Sequence, residues 1–234
     1  MPAKFIFTAA LWLLFVFTLL AQQKQEDYST IFLDDYQKAV RFLRHEKWMV
    51  PLIQAHDLNP SEVIAVGFPE LVRYNSLQDK IETFALESLY VQYGKEYANF
   101  SIGLFQLKPS FVESIEIDFF KLGGAKKLFE EFHIAASDTV KDWEGRFQRL
   151  KRMKDKQWLT SYLCLYFKVM EARYPNWRSS EEKIKFFSCA YNCGYWKSKI
   201  EIDSFLKKKF FYVGLLTSKK YCYADIAWYY FQQH

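Results

Sequence analysis

The sequence predicts a mainly α-helical fold with one small β hairpin or sheet near residues 90–107, carried in a single domain. Three observations lead there. Apolar residues recur at three- and four-residue intervals through most of the 234-residue chain, the spacing that paints one face of a helix. One stretch, "LYVQYGKEYANFSIGLFQ", departs from that texture by gathering Tyr, Val, Phe and Ile around Gly94, residue types that suit a pleated surface. No Pro-, Ser- or Gly-rich linker interrupts residues 27–234, so Pro175 with Asn176 and the pair Gly123 and Gly124 separate elements, not domains.

The elements follow in order. Residues 1–21, "MPAKFIFTAALWLLFVFTLLA", combine Lys4, an unbroken apolar run and the small residue Ala21 ahead of a polar stretch, the layout of a secretory signal peptide. The run is also nearly long enough to cross a bilayer, so an uncleaved N-terminal anchor is the alternative; either way residues 22–234 are expected to be exported to the periplasm or cell envelope. Ile31, Phe32, Tyr36, Ala39, Val40 and Leu43 then mark the core face of a first helix. In "LNPSEVIAVGFPEL", Asn59 is a candidate N-cap with Pro60 just inside, and Pro69 is expected to end or kink the helix around Phe68 to Leu71. Leu77, Ile81, Phe84, Ala85 and Leu89 predict another helix before the β-like stretch. Helical spacing then runs to the end through Val140, Trp143, Phe147 and Leu150; Trp158, Tyr162, Leu165, Tyr166 and Val169; Ile184, Phe187 and Tyr191; and the aromatic tail from Trp228 to Phe231.

Composition bounds what such a chain does. Half of its residues are hydrophobic and a fifth aromatic, which supplies a packed core and excludes a disordered protein. The formal charge of +5 is scattered, with short runs such as Lys207 to Lys209 and no arginine-rich stripe; that is a solvated face, and nucleic acid is not an expected partner. Cys164, Cys189, Cys193 and Cys222 allow up to two disulfides in three pairings, or buried free thiols. Cys189 and Cys193 lie four apart on a predicted helix with no histidine near, a poor zinc set, and no metal or other cofactor is expected.

Three segments carry candidate chemistry. Glu70 closes the apolar run of the second helix, where the plain alternative is a surface acid answering a positive helix end. In "SIGLFQLKP", Gly103 permits close backbone approach and Gln106 is a polar residue at the end of an apolar stretch. In "FFSCAYNCGYW", Tyr191 and Asn192 stand just ahead of Gly194, the ordinary residue past a helix end. In this order the three resemble the lytic transglycosylases, the murein-cleaving branch of the lysozyme-like superfamily. Ser101, Gly103, Leu104, Phe105, Gln106 and Pro109 fill the places of that family's Gly-Leu-Met-Gln motif with its preceding serine and following proline. Ala190, Tyr191, Asn192, Cys193 and Gly194 fill its Ala-Tyr-Asn-Ala-Gly, and Ala65 stands five residues ahead of Glu70. The resemblance spans roughly residues 60–195.

What the resemblance implies is an α+β lysozyme-like fold, peptidoglycan glycan strands as substrate, a monomer, and no cofactor. Glu70 would be the acid, Tyr191 would orient it through a hydrogen bond, Asn192 would shape the same wall, Gly103 would let backbone approach the glycan, and Ser101 and Gln106 would bind it. Leu71 replaces the family's serine, and "ALESLYVQYG" offers a literal Glu-Ser pair at Glu87 and Ser88. Glu70 is favoured, because the run Val63 to Phe68 predicts a buried helix that would desolvate it and raise its pKa. Glu87 shares an amphipathic helix with Gln78 and Glu82, which suits a solvated or cleft-wall position. Two other expectations stand beside this one: a hydrolytic muramidase drawing a second acid from Asp79, Glu82 or Glu87, and a non-catalytic peptidoglycan-binding module of an envelope assembly. Tyr90 and Tyr93 are candidates for sugar stacking, or core residues.

Overall fold

The computed structural model describes residues 26–74, 76–135, 142–213 and 218–234, with the side chains of 76–84 outside that description. Residues 1–21, Val140 and the side chains of Leu77, Asp79, Ile81, Glu82 and Phe84 therefore lie outside the described residues. Ten helices are present among the rest: α1 (Tyr28–His45), α2 (Met49–Ala55), α3 (Pro60–Arg73), α4 (Ser76–Tyr93), α5 (Pro109–Phe132), α6 (Trp143–Met153), α7 (Lys156–Arg173), α8 (Ser180–Cys193), α9 (Lys199–Phe205) and α10 (Tyr223–Gln233). The fold is mainly α. Among the described residues no helix is long and apolar enough to cross a membrane.

Helix α3 is the centre. Every residue from Val63 to Val72 is buried, and α1, α8 and α10 pack around it while α7 carries α2 and α5 on its own flanks. It starts where the sequence says it should: Asn59 Oδ1 accepts from Ser61 N at 3.0 Å and Pro60 occupies the first turn, where its missing N–H costs nothing. Its end differs from expectation. Pro69 does not stop the helix, which runs one further turn to Arg73. Pro69 removes one hydrogen bond, and burial of the whole 63–72 face outweighs that loss.

The expected β element is also corrected. Residues 89–93 belong to α4, and the region holds one antiparallel bridge, Ile102 to Leu107, with no hairpin. The Tyr and Val that read as strand instead serve a helix, because Tyr90 is fully buried and donates its hydroxyl to Glu113 Oε1 at 3.0 Å. Tertiary packing overrides β propensity here. Gly94, at φ +91, ends α4, and its N–H reaches Tyr90 O at 2.8 Å. Gly124, at φ +75, breaks α5 into two helical pieces.

One ionic network crosses the interior. Glu116 of α5 accepts from Arg149 Nε of α6 at 2.8 Å, from Arg152 Nη2 at 3.2 Å and from the Tyr162 hydroxyl of α7 at 2.7 Å. Arg149 Nη1 donates to the Tyr90 hydroxyl at 3.1 Å. Glu113, Glu116, Arg149 and Arg152 are all buried, so each charge depends on the others for its solvation. The network fixes the N-terminal half of α5 against α4, α6 and α7, and the turn leading into that half is one wall of the cleft described next.

Candidate active site

The segment 101–107 is built inward from its backbone. Ile102 N bonds Leu107 O at 2.9 Å and Leu107 N returns to Ile102 O at 3.2 Å, closing a tight turn. Gly103 sits at φ +66 and Gln106 at φ +49, the left-handed region where a side chain is strained. Gln106 is held there by its own amide, whose Nε2 donates to Gly103 O at 2.9 Å. Phe105 is fully buried and lies over Gly67 of α3, where an added Cβ would fall 2.8 Å from Phe105 Cδ1. Gly67 therefore lets the turn dock on the helix that bears Glu70. Pro109 then opens α5 at its first turn, which explains the abrupt stop after Gln106.

These pieces meet in a cleft of about 350 Å³ lined by Glu70, Arg73, Ser101, Gln106, Lys108, Tyr191, Asn192, Cys193 and Trp196 among others. Glu70 of α3, Ser101 and Gln106 of the turn, and Tyr191 and Asn192 of α8 are thus brought together from separate segments of the chain. Gly103 is not a lining residue: an added Cβ would lie 2.5 Å from Leu159 Cδ1, so its bare backbone seats the turn on α7 and does not face a ligand. Glu87 is elsewhere, paired with Lys154 Nζ at 3.0 Å. Tyr90 is committed to the buried network, and Tyr93 is exposed beside Tyr97, ring centroids 5.3 Å apart.

Glu70 is only 4% exposed. Burial pushes its carboxyl up to about 7, against the pull of Arg73 and, more weakly, Lys108. Arg73 Nη2 lies 2.6 Å from Glu70 Oε2, and no well-aligned hydrogen bond reaches that oxygen, so the contact is chiefly ionic. The guanidinium is braced on its other side by the Phe211 ring, 4.8 Å from its centroid, a cation–π contact. Because α3 continues past Pro69, position 71 turns into the core, where Leu71 is buried, and position 73 returns to the carboxyl's face. The residue that meets the acid is therefore Arg73, not the one that follows it in sequence.

The expected hydrogen bond from Tyr191 to the acid is replaced by another. The Tyr191 hydroxyl donates to Phe105 O at 2.7 Å, tying α8 to the 101–107 turn across the cleft floor, and the Tyr223 hydroxyl donates to Val66 O at 3.2 Å. Burial, then the nearby Glu70, raises both phenols well above their ordinary value, so neither is a proton source near neutral pH. Asn192 Nδ2 is buried without a partner among the described residues, an amide donor with nothing yet to donate to. Trp196, 56% exposed, rests its indole against Gly194, where a Cβ would meet Cζ2 at 2.8 Å.

Sequence reasoning missed Arg73, Lys108 and Trp196. Arg73 was hidden by the expected helix end at Pro69, whereas Trp196, two residues past Gly194, was legible as an aromatic beside the third motif. All four cysteines are free thiols. Among the described residues no cluster of His, Cys, Asp or Glu is arranged to hold a metal ion. No protein-family model, curated protein or solved structure matches the chain.

Proposed function

We propose that the chain is a lysozyme-like lytic transglycosylase that cleaves the β-1,4 bond between N-acetylmuramic acid and N-acetylglucosamine in murein. The observation that carries this reading is Glu70: a carboxyl raised to about 7 by burial, at the wall of a cleft it shares with Gln106, Tyr191 and Asn192. A glycosidic oxygen leaves only once protonated, and a carboxyl delivers a proton near neutral pH when burial has lifted its pKa. Hydrolysis by paired carboxylates needs a second acid across the bond. Glu70 lines the cleft while Glu87, one of the candidate second acids, is paired with Lys154 elsewhere, and in the proposed reaction the sugar's own N-acetyl group assists in place of a second carboxylate.

In this reaction Glu70 first gives its proton to the leaving glycosidic oxygen. The same carboxylate then takes a proton from the muramic acid C6 hydroxyl, whose oxygen closes on C1 to form a 1,6-anhydro end without consuming water. Asn192 lines the same cleft and would help to shape its wall; its buried, unpartnered Nδ2 would reach a sugar oxygen once the side chain turns toward the space. Gln106 and Ser101 line the cleft as well, and Trp196 offers an exposed ring for a pyranose face.

Mass analysis of digested sacculi tests the proposal. Anhydro-muramyl ends released by the parent and lost with Glu70→Gln are expected. Reducing ends would replace the reaction with hydrolysis, and a parent that only sediments with sacculi would leave a binding module.

A further inference from the structure

The sequence scatters its lysines, and the fold gathers five of them. Phe211 and Tyr221 pair in an antiparallel bridge, with N–H to C=O distances of 3.1 and 2.8 Å. That pairing brings Lys207, Lys208 and Lys209 on one arm together with Lys219 and Lys220 on the other, and all five are exposed. Rings steady three of the ammonium groups: Lys208 Nζ lies 4.1 Å from the Phe205 centroid, Lys219 Nζ 5.1 Å from that of Tyr221 and Lys220 Nζ 5.3 Å from that of Tyr212. A ring attracts a cation without cancelling its charge. Among the described residues Lys207, Lys208 and Lys220 have no carboxylate partner. Asp225, whose charge also reaches Lys209, lies 3.5 Å from Lys185.

The beginning of the chain is tied to this surface. Lys209 Nζ lies 3.0 Å from Glu26 Oε1, and Lys209, then more weakly Lys219, hold the Glu26 carboxyl below its ordinary value against burial. Glu26 is the first described residue, and residues 22–25 alone separate it from the apolar run 1–21. Five Cα steps reach at most about 18 Å, so the lysines stay close to wherever that run lies.

We propose that this basic surface docks on an anionic lipid bilayer, the one that the apolar run 1–21 enters. An apolar segment alone holds a domain near a membrane in any orientation, and a polybasic patch is the second signal that lays one face down. Near an anionic surface each lysine raises the docked population by about fivefold, and the exposed Tyr212 ring is of the kind that settles at a lipid headgroup boundary. None of the five lysines lines the Glu70 cleft, so the inference stands apart from the function proposed above.

The test places the full chain in lipid nanodiscs, of phosphatidylcholine alone or with about one-third phosphatidylglycerol, and maps lysine acylation by mass spectrometry. Lys126, an exposed amine of α5, is the internal reference. The apolar run is present in both compositions, so only lipid charge differs. Lys207, Lys208, Lys219 and Lys220 should react at least ~5-fold more slowly in the anionic discs, and salt at about 1 M, which shortens the screening length to about 3 Å, should remove the difference. Exchanging Lys207, Lys208 and Lys220 together for Gln should let Lys219 react equally in both compositions. Acylation that ignores lipid charge, or protection that survives high salt, overturns the docking. Protection in phosphatidylcholine discs by added soluble polyphosphate, equal to that in the anionic discs, would assign the surface to a free anionic polymer and overturns it as well.

Discussion

Replacing Glu70 by Gln should make the protein more stable at neutral and alkaline pH, and the gain should itself depend on pH. The carboxyl binds its proton more tightly in the folded chain, at about 7 against an ordinary 4.5, because ionising it means placing a charge beneath a surface that leaves it 4% exposed. A group raised in this way contributes its full stability below pH 4.5 and loses it as pH climbs through 7. At about 1.4 kcal/mol per pKa unit, the carboxylate costs the parent about 3 kcal/mol above pH 7. Gln keeps the shape and never ionises. Arg73 loses its ionic partner in the variant, but its side chain is one-third exposed and water takes over. Urea unfolding of both proteins from pH 4 to pH 9 reads the difference: close to zero at pH 4, rising between 4.5 and 7, flat beyond. All other titrations cancel between the two chains. A difference that does not vary with pH, or a parent more stable than the variant at pH 8, would refute the claim that burial governs this carboxyl.

Three further outcomes follow from the same geometry. Gly103→Ala forces a side chain into φ +66 and onto Leu159 Cδ1 at 2.5 Å, and should lower stability by about 1–3 kcal/mol in chemical denaturation. Glu116→Ala leaves Arg149 and Arg152 buried without their shared carboxylate; a loss of about 3–5 kcal/mol is expected, with Tyr162→Phe milder. Arg73→Gln removes the guanidinium that pulls Glu70 down, so the carboxyl's pKa rises and the alkaline limb of murein cleavage should move up by about one to two pH units, with Arg73→Lys in between.

The helical character and the start of α3 were legible because they rest on local chemistry, apolar spacing and an Asn-Pro cap, whereas the meeting of Glu70 with the 101–107 turn and the end of α8 was expected only from the resemblance of three motifs in order. What escaped rests on distance in sequence. Tyr90, Glu113, Glu116, Arg149, Arg152 and Tyr162 occupy four helices, and nothing in any one of them announces that its charge is buried with the rest. The β reading near residues 90–107 kept only the Ile102–Leu107 bridge for a related reason, since the apolar residues that favour a strand equally favour a helix with a core to cover. Gly67 looked like an incidental glycine within an apolar run, and only the docked Phe105 ring gives it a purpose. Gly103 was noticed for the right property, backbone closeness, with the wrong neighbour.

Arg73 bears most directly on how one carboxyl could do the proposed work. A group that must first release a proton and then recover one from a hydroxyl serves both steps best when its pKa lies near the working pH. Burial alone would overshoot. Complete desolvation moves a carboxyl by several pKa units, leaving an acid that holds its proton too firmly to protonate a weakly basic glycosidic oxygen. A guanidinium 2.6 Å away, itself partly in solvent and steadied on Phe211, opposes that rise, and the balance falls at about 7. The extra turn of α3 past Pro69 is what brings the cation to that position. Ending the helix at Pro69 would leave Glu70 buried without it, so a helix that tolerates an internal proline and an acid tuned between two opposing fields are one structural fact.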